Sequence, residues 1–101
     1  MSVTLSFDGQ TYCPAPRFNT WLEIEDELGS LPALHRRLID GGWRLAELVA
    51  AVQILLAAAG CECDYRLLGD DILRRGADTY RHALERLMRP VTGLADERNT
   101  P

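Results

Sequence analysis

The sequence predicts an α+β fold, mostly α, in which an N-terminal two-stranded β-hairpin packs on four or five short helices. Three observations support this class: the first residues alternate between polar and apolar, a turn signal follows them, and apolar residues then recur at helical spacing. The chain has 101 residues, 47% of them hydrophobic and 26% charged, a composition typical of a globular protein with one core. We therefore expect a single domain over residues 1–94 and a flexible C-terminal tail over residues 95–101.

The start of the chain has the pattern of a β-hairpin. Val3, Leu5 and Phe7 fall on one face and alternate with serine and threonine, as in a half-buried strand. Asp8-Gly9 then favours a type I′ turn, because both residues tolerate a positive φ. The return strand is expected over residues 10–13, where two prolines end it because proline cannot donate to a strand ladder. A hairpin this short is only marginally stable alone, so it must pack on the helices that follow.

Caps, glycines and apolar spacing divide the rest of the chain into helices. Residues 45–59 are apolar on nearly every side, so we expect them to form the central helix. This stretch contains Glu47 and Gln53 and is shorter than the roughly twenty apolar residues of a membrane span, so no membrane association is expected. The first predicted helix is capped by Asn19 or Thr20 and ended by Gly29, and the second is capped by Ser30 and ended by Gly41-Gly42. The central helix runs from Trp43 or Arg44 to Ala59. After a connector of open structure over residues 61–69, we expect one or two helical turns over residues 70–75 and a last helix over residues 78–89 that Pro90 ends.

The charge balance argues against a nucleic-acid-binding protein. The formal net charge is −4, whereas nucleic-acid-binding domains usually carry a basic balance or a concentrated basic face. Between residues 62 and 89, six arginines are matched by six acidic residues, which we interpret as a solvated surface that compensates its own charge. The pairs at helical spacing are Asp70 with Arg74, Asp71 with Arg75, Asp78 with Arg81, and Glu85 with Arg89.

No set of residues has the spacing of an enzyme or metal site. Cys61 and Cys63 are separated by one residue, and Cys13, His35 and His82 are scattered, so we expect no metal and free, half-buried thiols. The chain has no phosphate-binding loop and no dinucleotide fingerprint, so we expect neither a cofactor nor catalysis. Its start lacks a basic region followed by an apolar run, which together with the few cysteines predicts a reducing, cytoplasmic location.

The order of the elements and two local sequences are characteristic. The hairpin reads FDGQTY over residues 7–12, and the next helix reads WLEIEDELG over residues 21–29. A short leucine helix and the alanine- and leucine-rich helix up to Gly60 follow. From Val3 to Leu94 the chain resembles tail proteins of gene transfer agents and related phages that are thought to act as tail assembly chaperones. The resemblance implies a non-enzymatic protein in a bacterial or prophage-bearing host that accompanies the tape-measure or tail tube protein, and it implies no catalytic residue.

Two alternatives to a chaperone stay open at this point. One is a structural tail subunit that remains in the finished particle. The other is a small bacterial regulator that contacts DNA through the arginines of residues 74–89, although the expected partners do not include nucleic acid. An enzyme is the least expected class.

The expected partner-binding residues lie on the hairpin and at the start of the central helix. Trp43 is a natural interface anchor, because its ring combines a large apolar area with a polar N–H group. The hairpin edge can accept a strand from a partner, or it can pair with a second copy in a homodimer. The candidate residues are Trp43, Val3, Leu5, Phe7 and Tyr12.

Overall fold

A computed structural model describes residues 3–94, which form one β-hairpin followed by five helices. This confirms the predicted α+β class, and the tail expected over residues 95–101 lies outside the described residues. No helix among the described residues is long and apolar enough to cross a membrane. The elements are β1 (Leu5–Phe7), β2 (Gln10–Tyr12), α1 (Phe18–Leu28), α2 (Leu31–Asp40), α3 (Leu45–Ala58), α4 (Tyr65–Arg75) and α5 (Ala77–Thr92).

The hairpin forms as its sequence predicts. Asp8 and Gly9 both have positive φ angles, 53° and 78°, as a type I′ turn requires. The Tyr80 hydroxyl donates a hydrogen bond of 2.8 Å to the Ser6 carbonyl, which fastens β1 to α5. The antiparallel strands pair Leu5 with Tyr12, Ser6 with Thr11, and Phe7 with Gln10.

Helix α3 is the centre of the molecule. It packs against α1, α4 and α5, so that it is covered on several sides, as its apolar sequence predicts. Helix α2 closes the other side of the core by packing against α5 and α1. The α3 side chains without any exposed surface are Leu48, Ala51, Val52, Leu55 and Leu56.

Helix α1 begins earlier than its predicted caps. It starts at Phe18, directly after Arg17, so neither Asn19 nor Thr20 is the N-cap residue. Thr20 lies in the first turn, where its hydroxyl accepts a hydrogen bond of 3.2 Å from the backbone N–H of Arg17. The threonine therefore stabilises the helix start from inside the helix, while Gly29 ends the helix with a φ of 89°, as predicted.

Helix α4 is longer than the one or two turns predicted over residues 70–75. It begins at Tyr65, and Asp64 is its N-cap, with a carboxylate oxygen that accepts hydrogen bonds from the backbone N–H groups of Arg66 and Leu67. The segment over residues 61–69, whose structure the sequence left open, is therefore helical from residue 65 onward. Gly69 does not break the helix, because it faces the side chain of Val49 on α3, where helices pack against each other.

Helix α5 continues past Pro90, which corrects the predicted end at that residue. A proline in the last turn forfeits only its own backbone donor, and the helix then runs to Thr92. Gly93 ends it with a φ of 77° and donates its backbone N–H to the Arg89 carbonyl at 2.9 Å.

We expect Leu55→Ala to reduce the free energy of unfolding by about 2–5 kcal/mol, because the substitution leaves a cavity in the place of a fully buried side chain. Leu67→Ala is the matched control: this side chain is 61% exposed, and its loss should change stability by less than about 0.5 kcal/mol. Urea denaturation of both variants measures the difference. Equal, small losses for the two leucines would contradict the assignment of α3 to the core.

Candidate protein-binding surfaces

The structure places Leu5, Phe7 and Tyr12 on the hairpin strands and Val3 two residues before β1. Val3, Phe7 and Tyr12 are half-buried and pack against the core from outside. Leu5 belongs to the core itself, with 2% of its surface exposed, which corrects its expected place on a binding surface. A side chain at that position faces the helices because the strand alternates, so it offers no free surface to a partner.

Among residues 3–94, the two edges of the hairpin differ in how accessible they are. Phe7 and Gln10 flank the two-residue turn and bond to each other, and Ser6 and Thr11 form the next pair. In an antiparallel ladder this second pair is not hydrogen-bonded to itself, so the N–H and C=O groups of Ser6 and Thr11 point outward from the two edges of the hairpin. On the β1 side the Ser6 carbonyl is occupied by the Tyr80 hydroxyl. Thr11, in contrast, is exposed on the outer side of β2. The edge that can accept another strand is therefore that of β2.

Trp43 lies apart from the hairpin residues, in the loop between α2 and α3. Its ring is half-buried against the core, beside an open cavity of about 300 Å³. Arg81 borders this cavity, where it donates hydrogen bonds to the Leu38 carbonyl at 3.2 Å and to Asp78 at 2.8 Å. Phe7 lines a different cavity, next to α4, so the structure places the predicted anchor and the predicted edge in separate sites.

The cavity beside Phe7 is acidic and holds one of the cysteines. Among the described residues no three cysteine, histidine or carboxylate side chains are grouped so that they could hold a metal ion. Burial, together with the neighbouring Cys61, raises the pKa of the Cys63 thiol to about 11, so this thiol is protonated at neutral pH and a poor nucleophile. Cys13, Cys61 and Cys63 are all free, as predicted.

A buried polar network joins α2 to the C-terminal half of α5. His35 has no exposed surface, and its Nε2 lies 2.9 Å from Glu85 Oε2 while its Nδ1 lies 2.6 Å from the Thr92 hydroxyl oxygen. Arg89 reaches the same carboxylate with its Nε at 2.8 and 3.0 Å. Glu85 is 2% exposed, so the pair with Arg89 is not the solvated surface pair that the sequence suggested.

A second buried carboxylate lies on α4. Asp71 is 3% exposed and accepts hydrogen bonds from Arg75, at 3.0 Å, and from Arg74. The predicted pair of Asp71 with Arg75 is confirmed, whereas Arg74 pairs with Asp71 instead of Asp70. The pair of Asp78 with Arg81 also forms as predicted.

Hydrogen bonds keep the buried carboxylates ionised. Burial alone would raise the pKa of Glu85, but the hydrogen bonds from Arg89 and His35 outweigh it and hold that pKa below its ordinary 4.5. The same balance, with Arg74 and Arg75 as donors, holds the pKa of Asp71 below its ordinary 3.8. The Glu85 network therefore joins α2 to α5 through His35, whereas the Asp71 network lies within α4.

Large apolar side chains are exposed on the outer sides of the helices, which the sequence analysis did not identify. On α1, Phe18 is 76% exposed and Leu22, one turn later, is 40% exposed. A separate apolar groove of about 400 Å³ runs between α3 and α4. Its lining residues include Leu45, Ala46, Val49, Tyr65, Gly69 and Leu73.

A family model described as "Phage tail tube protein, GTA-gp10" matches residues 1–93. The chain belongs to this family. The match covers both the hairpin and all five helices, and it confirms the resemblance to gene transfer agent tail proteins. No curated protein and no solved structure matches the chain. The role of the protein is therefore related to phage-like tails.

We expect Glu85→Gln to cost about 2–3 kcal/mol of stability at neutral pH, because it removes the charge that Arg89 and His35 share in a buried place. Asp78→Asn is the control, since it removes a pair with Arg81 within the same helix whose carboxylate is 84% exposed; its effect should stay below about 1 kcal/mol. Chemical denaturation measures both changes.

The pH dependence of stability gives a second test of the network. Because the folded-state pKa of Glu85 lies below 4.5, its contribution is fully present above that value and is lost as the pH falls through the folded-state pKa. Glu85→Gln should therefore lose less stability than the wild-type protein on acidification below pH 4.5. Parallel acid curves for the two proteins would contradict the network.

We expect the thiols to be dispensable for folding. The double substitution Cys61→Ser and Cys63→Ser should retain cooperative unfolding with a shift of about 1 kcal/mol or less, because both side chains are only half-buried. Metal analysis of the wild-type protein is the accompanying measurement. Stoichiometric zinc that the double substitution removes would overturn this expectation.

Proposed function

We propose that the protein is a structural subunit of a phage-like tail, and that it acts by binding other tail proteins without catalysing a reaction. The family match over residues 1–93 carries this proposal, because the family is described as a tail tube protein and the match spans nearly the whole chain. The subunit role therefore takes precedence over the chaperone role that the sequence first suggested.

The exposed apolar surface supports a lasting contact with other proteins. Phe18 and Leu73 are each more than half exposed, and an apolar groove lies beside Leu73. Single exposed apolar residues are common on monomers, whereas contiguous apolar surface with a polar rim is typical of an interface. Such contacts hold subunits together without any catalytic group.

The arginine pairing supports a role without nucleic acid. Arg74 and Arg75 bind Asp71, and Arg89 binds Glu85, so these guanidinium groups are committed to carboxylates of the same chain. A DNA-contacting regulator would need them to neutralise phosphates instead. The free cysteines support assembly in a reducing compartment, which in a bacterial host is the cytoplasm.

A tail assembly chaperone is the second candidate, and the accessible edge of β2 favours it. Thr11 is exposed there, so an extended segment of a tape-measure or tail tube protein can add to the hairpin as a third strand. A chaperone of this kind would act before the tail is complete and then leave.

The composition of purified particles tests the proposal. We expect quantitative mass spectrometry of particles to find this chain in a fixed ratio to the other tail proteins. A host cytosolic protein of similar size and abundance is the control for contamination, and it should be absent. A chain that particle formation requires but finished particles lack would favour the chaperone. A chain that neither affects particles nor occurs in them would overturn both roles.

A further inference from the structure

We propose that Cys61 and Cys63 form a redox pair, a dithiol that glutathione disulfide converts reversibly into a disulfide within the chain. The two residues lie in the connector between α3 and α4, and both thiols are free in this structure. This chemistry belongs to the chain itself, so it goes beyond the proposed function and is the same for a tail subunit and for a chaperone.

Both thiols face the same side of the connector. Cys61 and Cys63 are half-buried and pack against the core, whereas Glu62 between them and Asp64 after them are exposed. This alternation is that of an extended chain, in which residues two apart point the same way. Their Cα atoms can be about 7 Å apart at most, near the upper end of the range that a disulfide spans. The sulfurs are therefore close enough to be joined by a small bend of the backbone.

Hydrogen bonds to α3 hold the backbone at both cysteines. The N–H group of Cys61 donates to the Leu56 carbonyl at 2.8 Å. The side-chain amide of Gln53 donates to the Cys63 carbonyl at 2.9 Å. Because Gln53 and Leu56 both belong to α3, the two cysteines keep a fixed position relative to one helix and to each other.

The side chain of Cys61 makes hydrogen-bond contacts with both Cys63 and the Tyr12 hydroxyl on β2. Burial and the contact with Cys61 raise the pKa of the Cys63 thiol to about 11, so Cys63 keeps its proton at neutral pH. The first attack on an oxidant therefore falls to Cys61, because the thiolate and not the thiol is the nucleophile.

The oxidation takes place in two exchange steps. The Cys61 thiolate attacks one sulfur of glutathione disulfide, whose S–S bond breaks and releases one glutathione. Cys63 then gives up its proton, and its sulfur attacks the Cys61 sulfur and releases the second glutathione. The two cysteines lose two electrons and two protons, and glutathione disulfide takes them up as two thiols.

The bond that forms should be labile. A disulfide between residues this close requires the extended connector to bend, and strained disulfides are reduced more easily than structural ones. We expect its equilibrium constant of formation with glutathione disulfide to be about 100-fold or more below that of a structural disulfide. The pair is therefore open in a reducing compartment and closes in an oxidising one, directly before the Asp64 cap of α4.

Equilibration of the folded full chain in buffers with different ratios of glutathione to glutathione disulfide tests the pair. Each sample is quenched with acid, alkylated and analysed by mass spectrometry. Cys13→Ser removes the exposed third cysteine, and this variant should lose two hydrogens and take up no alkyl group at the oxidising end. Excess glutathione should then restore two alkylated thiols.

Cys61→Ser and Cys63→Ser are the matched controls, with thermal denaturation as the check that each variant is folded. Each retains Cys13 and one thiol of the pair, so it should carry glutathione adducts or free thiols and no disulfide within the chain. Two glutathione adducts on the Cys13→Ser protein, or thiols that are alkylated at every ratio, would overturn the redox pair. A wild-type disulfide that peptide mapping assigns to Cys13, or one that excess glutathione does not reopen, would equally contradict it.

Discussion

The burial of α3 on several sides at once is the constraint on which the rest of the molecule depends. Leu48, Leu55 and Leu56 have no exposed surface, so α1, α4 and α5 must each present an apolar stripe to the same central helix. A chain this small has few other ways to remove enough apolar surface from water. The surrounding helices are therefore amphipathic, and their outer faces are left to carry whatever contacts the protein makes.

The polar networks fix how the outer helices sit on this core. Apolar packing is not directional, whereas His35 can meet Glu85 and Thr92 together at only one register of α2 against α5. The bond from Tyr80 to Ser6 does the same for the hairpin, which has too few residues to hold its own position. Buried ionic groups of this kind add little net stability over apolar side chains, but their hydrogen-bond geometry is satisfied by this arrangement of α2 and α5.

The elements with local signals could be predicted from the sequence, and those decided by distant contacts could not. Asp8-Gly9 determines its turn within the hairpin itself, so the prediction was right. Glu85 and Arg89 have the same four-residue spacing whether the carboxylate is solvated or buried, and only His35, fifty residues away, distinguishes the two. Likewise, Gly69 indicates a helix break in isolation, but packing against Val49 and the cap at Asp64 keep α4 continuous.

The exposed residues were missed for the same physical reason. The helical spacing of apolar residues identifies the side of a helix that is buried, here the side of Trp21 and Ile24. It does not distinguish a buried apolar residue from an exposed one that lies next to that side. Phe18 lies where the α1 surface turns away from α3, and only the assembled helices show that nothing covers it. Exposed apolar residues of this kind are the ones through which proteins commonly contact other proteins. The fold of this chain could therefore be predicted from its buried apolar residues. Its candidate binding surfaces could be identified only once the fold showed which apolar residues stay exposed.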